Sequence, residues 1–91
     1  MTCVRVVIHG RVQGVWFRGW AIQEARARGL DGWVRNCHDG TVEALFDGPE
    51  SSVASMLAAC RKGPPAARVV LVEERPCDDR PAPGFHQYPS A

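Results

Sequence analysis

An Asp-Gly pair near the middle of the chain, Asp39 and Gly40, most constrains the fold. Residues 30–37 and 41–47 on either side of it alternate apolar and polar side chains, as half-buried strands do. Asp-Gly between two such runs is a strong hairpin signal, because both residues tolerate positive φ. The sequence therefore predicts an antiparallel hairpin at the centre of the chain.

A helix and a further strand are predicted on each side of this hairpin. Residues 4–9 are mostly β-branched and predict a first strand, and residues 18–28 are rich in helix formers and end at Gly29. A second helix is predicted to begin at Pro49, because apolar residues follow it at helical spacing. A β-branched run within residues 67–74 predicts the strand after it.

This order of elements, βαββαβ, predicts an α+β fold: a ferredoxin-like sandwich with both helices on one face of a four-stranded, mostly antiparallel sheet. We expect the first and third strands to be central neighbours that run parallel. The 91 residues fit a single domain, residues 1–91. Residues 85–88 could add a fifth strand, but proline punctuates the preceding stretch, and we expect residues 84–91 to be frayed.

Charge and composition argue against several classes of function. A net charge of +1 gives no broad electrostatic field, which weakens the case for binding nucleic acid or an anionic membrane. The longest aliphatic run, residues 69–72, is far shorter than a membrane span. The N-terminus has no basic stretch followed by an apolar one, so we expect a cytoplasmic protein. No leftover apolar stripe is evident, so we expect a monomer.

The four cysteines have no C-x-x-C spacing, which favours free, partly buried thiols. No metal site is predicted either. Cys37 and His38 are adjacent, and neighbouring residues on a strand point to opposite faces of the sheet.

The segment between the first strand and the first helix, residues 10–18, is a candidate anion site. Gly10 and Gly14 let the backbone curl, so that successive N–H groups can converge at a helix N-terminus. Arg18 can add a planar, permanently charged fork that matches two oxygens at once. The Gly-Lys-Ser/Thr ending of a nucleotide-binding loop is absent. The alternative is that the glycines only shape a turn and that Arg18 is solvated.

Asn36, at the end of the second predicted strand, is the other candidate residue. Asparagine is depleted in strands, so its presence there indicates either a role in the turn or a role in function.

Two stretches of the sequence resemble the signatures of the acylphosphatase family, Gly-x-Val-Gln-Gly-Val-x-Phe-Arg and Gly-x-Val-x-Asn-x-x-Asp-Gly-x-Val-Glu. The residues that match the first are Gly10, Val12, Gln13, Gly14, Val15, Phe17 and Arg18. Those that match the second are Gly32, Val34, Asn36, Asp39, Gly40, Val42 and Glu43. The resemblance covers roughly residues 4–74, and two long motifs at the right separation make it specific.

The resemblance implies an enzyme that hydrolyses the carboxyl–phosphate anhydride of acyl phosphates to a carboxylate and inorganic phosphate, without metal or cofactor. By position, Arg18 takes the role of the phosphate-binding arginine, and Asn36 that of the asparagine that orients the attacking water. The loop residues expected to bind the substrate phosphate are Gln13, Gly14, Val15, Trp16 and Phe17. Trp16 is also expected to shape the substrate entrance.

Three alternatives share the predicted element order. An RNA-recognition motif needs aromatic residues beside a basic residue on its third strand, and residues 41–46 lack that pattern. A copper chaperone would need a second cysteine close to Cys3, where Val6 stands instead. A binding module that holds phosphate without turnover is the most serious alternative, and an assay of acyl-phosphate hydrolysis separates it from an enzyme.

Overall fold

Two helices pack on one face of a five-stranded sheet in the computed structural model, which describes residues 1–91. The elements in chain order are β1 (Thr2–Arg11), α1 (Phe17–Ala27), β2 (Asp31–Asn36), β3 (Val42–Gly48), α2 (Glu50–Lys62), β4 (Arg68–Pro76) and β5 (Phe85–Gln87). The strand order in the sheet is β4-β1-β3-β2-β5. This is the predicted ferredoxin-like α+β sandwich with a fifth strand added at one edge.

The central pair of strands, β1 and β3, are neighbours as predicted, but the expected parallel pairing is wrong. They run antiparallel, with Thr2 opposite Gly48 and Ile8 opposite Val42. The reason is that α1 returns the chain so that β2 is parallel to β1, and the hairpin then folds β3 back between them. The turn of this hairpin contains Gly40, whose φ of 94° is one that glycine adopts readily.

The hydrophobic core lies between the helices and the sheet. Alternation along β1 points Val6 and Ile8 toward the helices, and both are fully buried. Ala21 and Ala25 of α1 let that helix approach the sheet closely. The other side chains of the core cluster are Val12, Phe17, Leu30, Val34, Val42, Ala44, Phe46, Val53, Met56, Cys60 and Phe85. Neither helix is long and apolar enough to cross a lipid bilayer.

The C-terminal segment forms the fifth strand that the sequence offered as a possibility, in place of the frayed tail that it predicts for residues 84–91. Phe85 is buried and stacks on Phe46 with a centroid separation of 5.5 Å. The amide of Tyr88 donates to the carbonyl of Val34 at 2.9 Å, and β5 pairs with β2 in parallel register. Without β5, the backbone groups on the outer edge of β2 would have no partners. The composition of the tail does not reveal that such an edge is available, so the pairing could not be predicted from the tail alone.

Two of the four cysteines are not free thiols, which corrects the sequence prediction. The sulfurs of Cys3 and Cys77 are 2.14 Å apart and form a disulfide. Pairing of β4 with β1 brings these distant residues together, and the amide of Cys77 donates to the carbonyl of Cys3 at 3.1 Å. Cys37 and Cys60 are free. Burial raises the pKa of the Cys60 thiol to about 12, so that side chain stays protonated at neutral pH.

Candidate active site

The loop between β1 and α1, residues 12–16, ends in an unusual backbone conformation. Trp16 has φ 66° and ψ 24° and is the one non-glycine residue with positive φ. Trp16 directly precedes α1 and provides no side-chain hydrogen bond that caps it. From residue 13 to residue 19, no backbone N–H group donates to a backbone carbonyl. The loop and the first turn of α1 therefore present a run of free donors, which is the arrangement that binds anions at helix N-termini.

Arg18, in the first turn of α1, adds a positive charge beside these donors. Its side chain is half-buried and takes part in none of the six ion pairs of the protein. A guanidinium with all its N–H groups available can bind two oxygens of one anion.

Asn36, the last residue of β2, supplies the opposite kind of polar group. Its Oδ1 atom is buried and accepts no hydrogen bond, and it is the one buried side-chain nitrogen or oxygen in the protein without a partner. Buried acceptors are nearly always satisfied in native proteins, because desolvation without a partner is costly. The free Oδ1 of Asn36 is therefore suited to accept an O–H or N–H bond from a bound molecule or water.

Arg18 and Asn36 line one cavity of about 190 Å³. The nine lining residues are Val12, Gln13, Gly14, Trp16, Phe17, Arg18, Gly19, Asn36 and Gln87. No Asp or Glu is among them, so no carboxylate opposes an anion there. A larger hollow of about 610 Å³ lies away from this site and contains none of the predicted site residues. Its Arg5 and Glu43 form an ion pair at 2.7 Å.

The structure brings six of the seven predicted site residues together at the cavity. Val15 is the exception, because its side chain packs against the hydrophobic core. Sequence reasoning missed Gln87, which reaches the cavity only through the pairing of β5 with β2. It also missed Gly19, for which a glycine inside a helix-forming segment was the available signal.

Gln13 connects the loop to the hairpin that carries Asn36. Its Nε2 atom donates to the carbonyls of Cys37 and Thr41, both at 2.8 Å. The side-chain Nε2 group of Gln13 is therefore occupied within the protein, whereas its backbone N–H is free. These two bonds fix the donor loop relative to the end of β2.

The β2–β3 turn is braced by its own side chains. Asp39 accepts hydrogen bonds from the hydroxyl of Thr41 at 2.6 Å and from its amide at 3.0 Å. The hydroxyl bond, followed by the amide bond, lowers the pKa of Asp39 below its usual 3.8. His38 is exposed on this turn. No group of three or more His, Cys, Asp and Glu residues could hold a metal ion.

Comparison with known proteins identifies the family to which this chain is similar. The family model described as acylphosphatase matches residues 4–87. The acylphosphatase of Rhodospirillum rubrum is 56% identical over 90 residues, and the match covers 99% of each chain. The crystal structure of acylphosphatase from Bacillus subtilis superposes with a TM-score of 0.91 at 36% identity and covers 97% of this chain and 99% of that one.

A further likeness concerns the fold alone. Full-length HypF, in its phosphate- and nucleotide-bound form, superposes with a TM-score of 0.90 at 23% identity, and the match covers 98% of this chain but 12% of that one.

The family model spans most of the sequence, and two acylphosphatases are more than 50% identical to it. The chain therefore belongs to the acylphosphatase family.

Proposed function

We propose that this protein hydrolyses small acyl phosphates by attack of water at phosphorus, with the phosphoryl group bound in the 190 Å³ cavity. One observation carries the assignment of residues. The residues with free N–H groups at positions 13, 14 and 16–19, the unpaired Arg18 guanidinium and the unpartnered Oδ1 of Asn36 all border the same small space.

The donors suit the charge of the transition state. Phosphoryl transfer spreads negative charge over three equatorial oxygens, so preorganised donors and a cation stabilise it without covalent chemistry. The loop N–H groups and Arg18 bind those oxygens. Loss of one such donor typically lowers the rate by about 10² to 10³.

The amide of Asn36 positions the nucleophile. Its Oδ1 accepts a hydrogen bond from the attacking water, and as a neutral group it does not repel the phosphate. Because an amide is a weak base and no carboxylate lines the cavity, a phosphate oxygen of the substrate takes the proton of the water. The phosphorus–oxygen bond to the acyl group breaks, and the carboxylate leaves with the electron pair. A carboxylate is a good leaving group, so no enzymatic acid is needed.

The test is hydrolysis of benzoyl phosphate in excess chelator, followed by the loss of its ultraviolet absorbance. We expect rapid turnover by the native protein and a rate lowered by about 10² or more in both Arg18→Gln and Asn36→Ala. Arg68→Gln is the matched control, because Arg68 is exposed on β4 and outside the cavity. Near-native rates in either site variant would overturn that residue's role.

Binding of inorganic phosphate separates the two roles further. The increase in melting temperature with phosphate should persist in Asn36→Ala, which keeps the donors, and be lost in Arg18→Gln. Phosphate binding without any turnover by the native protein would mean a binding module instead of an enzyme. A cytoplasmic location and a monomeric state stay predictions.

A further inference from the structure

The indole of Trp16 is an exposed aromatic surface at the mouth of the cavity. Trp16 is 59% exposed, although most tryptophans are largely buried, and it lines the cavity beside Arg18 and Asn36. Val12 and Phe17 are the other large apolar side chains there, and both are buried in the core. Trp16 is therefore the one large apolar side chain of the cavity that faces solvent.

Two features distinguish the position of this indole. The left-handed conformation of Trp16 is rare for a bulky residue, and such strained residues cluster at functional sites. In addition, the indole lies directly over Gly19: a Cβ atom built on Gly19 would be 2.1 Å from Nε1 and 2.5 Å from Cε2 of Trp16. The φ of Gly19 is not positive, so its backbone conformation does not require glycine. Glycine is required at this position because any side chain there would displace the indole.

We propose that Trp16, seated on Gly19, is a specificity-determining wall for the acyl group and favours acyl phosphates with an aromatic or bulky apolar acyl part. This inference rests on the proposed function. With the phosphoryl group on the loop donors, the acyl group projects toward the mouth of the cavity, where the indole face is available. A benzoyl ring is large enough to stack on it, whereas the methyl group of acetyl phosphate buries little of its surface. Gly19 acts through Trp16 and is a positioning residue.

The test compares kcat/KM for benzoyl phosphate with kcat/KM for acetyl phosphate in each variant. This selectivity ratio is insensitive to the folded fraction, because misfolding lowers both rates equally. Trp16→Asn removes the indole while asparagine tolerates the left-handed conformation, Trp16→Phe keeps an aromatic face, and Gly19→Ala displaces the indole. Trp33→Phe is the control, because Trp33 lies outside the cavity and stacks on Tyr88.

We expect the ratio to fall by about 10-fold in Trp16→Asn and by about 3-fold or more in Gly19→Ala. In Trp16→Phe and Trp33→Phe it should stay within about 2-fold of the native value. A native ratio in Trp16→Asn would overturn the proposal while leaving the hydrolase assignment intact. Failure of the native protein to hydrolyse either substrate would instead overturn the proposed function itself.

Discussion

Replacement of Phe85 by alanine tests whether the C-terminal strand is part of the folded domain. The side chain of Phe85 is 1% exposed and stacks on Phe46 within the core cluster. Removing a buried phenyl group loses its transfer free energy and leaves a cavity, at a cost of about 3–5 kcal/mol. At about 0.05–0.15 kcal/mol per residue, a domain of this length has a free energy of unfolding of roughly 5–14 kcal/mol. The substitution therefore removes a large part of the stability.

Urea unfolding followed by tryptophan fluorescence measures the effect. With a urea m-value of about 1–3 kcal/mol per molar, the midpoint of Phe85→Ala should fall by more than about 1 M. Tyr88→Ala is the matched control, because Tyr88 is 40% exposed and rests on Trp33 outside the core, and its loss should be about 1 kcal/mol. Destabilisation of Phe85→Ala by less than about 1 kcal/mol would refute the packing of β5 against the core.

Three further predictions concern the two hydrogen bonds from Gln13 to the hairpin, the acid response and the disulfide. Gln13→Met removes two hydrogen bonds worth about 1 kcal/mol each, so urea unfolding should show a loss of about 2 kcal/mol, and kcat for benzoyl phosphate should also fall. Burial raises the pKa of Glu43, but hydrogen bonds from two arginines outweigh that effect and hold it below 4.5. The resulting stability is present above about pH 4.5 and is lost as the pH falls through the lower folded pKa, so over that acidic range Glu43→Gln should lose less stability than the native protein. Cys3→Ser removes the disulfide to Cys77, which joins residues 74 positions apart in the sequence, and should lower the free energy of unfolding by about 4 kcal/mol. Reduction of the native protein should have the same effect.

Each of these predictions has a result that contradicts it. Native kcat in Gln13→Met would mean that the loop keeps its geometry without the two hydrogen bonds of Gln13. Equal acid sensitivity of Glu43→Gln and the native protein would remove Glu43 from the acid response. Identical urea midpoints with and without reductant would show that the link to Cys77 does not contribute to stability.

The elements of this fold were predictable because their signals are local. Strand and helix bounds agree with the sequence predictions within two residues, since β-branched runs, helix caps and the Asp39-Gly40 turn act through neighbouring residues. The direction of β1 relative to β3 was predicted wrongly, because it depends on where the hairpin inserts in the sheet. Phe85 and Cys77 were also misjudged, since each is placed by pairing with a strand distant in sequence.

The same distinction holds at the candidate site. Arg18 and Asn36 were identified from two motifs, and the structure places both at one cavity. The bonding role of Gln13 was not predicted, because the sequence does not show that its side-chain amide faces two carbonyls of the hairpin. Gln87 was not identified, because residues 85–88 were predicted only as a possible strand and their pairing with β2 was not predicted.

In the proposed mechanism the two motifs contribute complementary groups, and neither is sufficient for hydrolysis. The loop N–H groups and the Arg18 guanidinium are donors that can hold a phosphoryl group, and none of them can accept a hydrogen bond from water. Asn36 offers the missing acceptor, yet it belongs to β2, two strands away from β1 in the sheet. Gln13 spans that distance by bonding the loop to the hairpin at the end of β2. In the proposed mechanism, catalysis by positioning therefore depends on a neutral side chain, that of Gln13, which sets the distance between the bound phosphoryl group and the water.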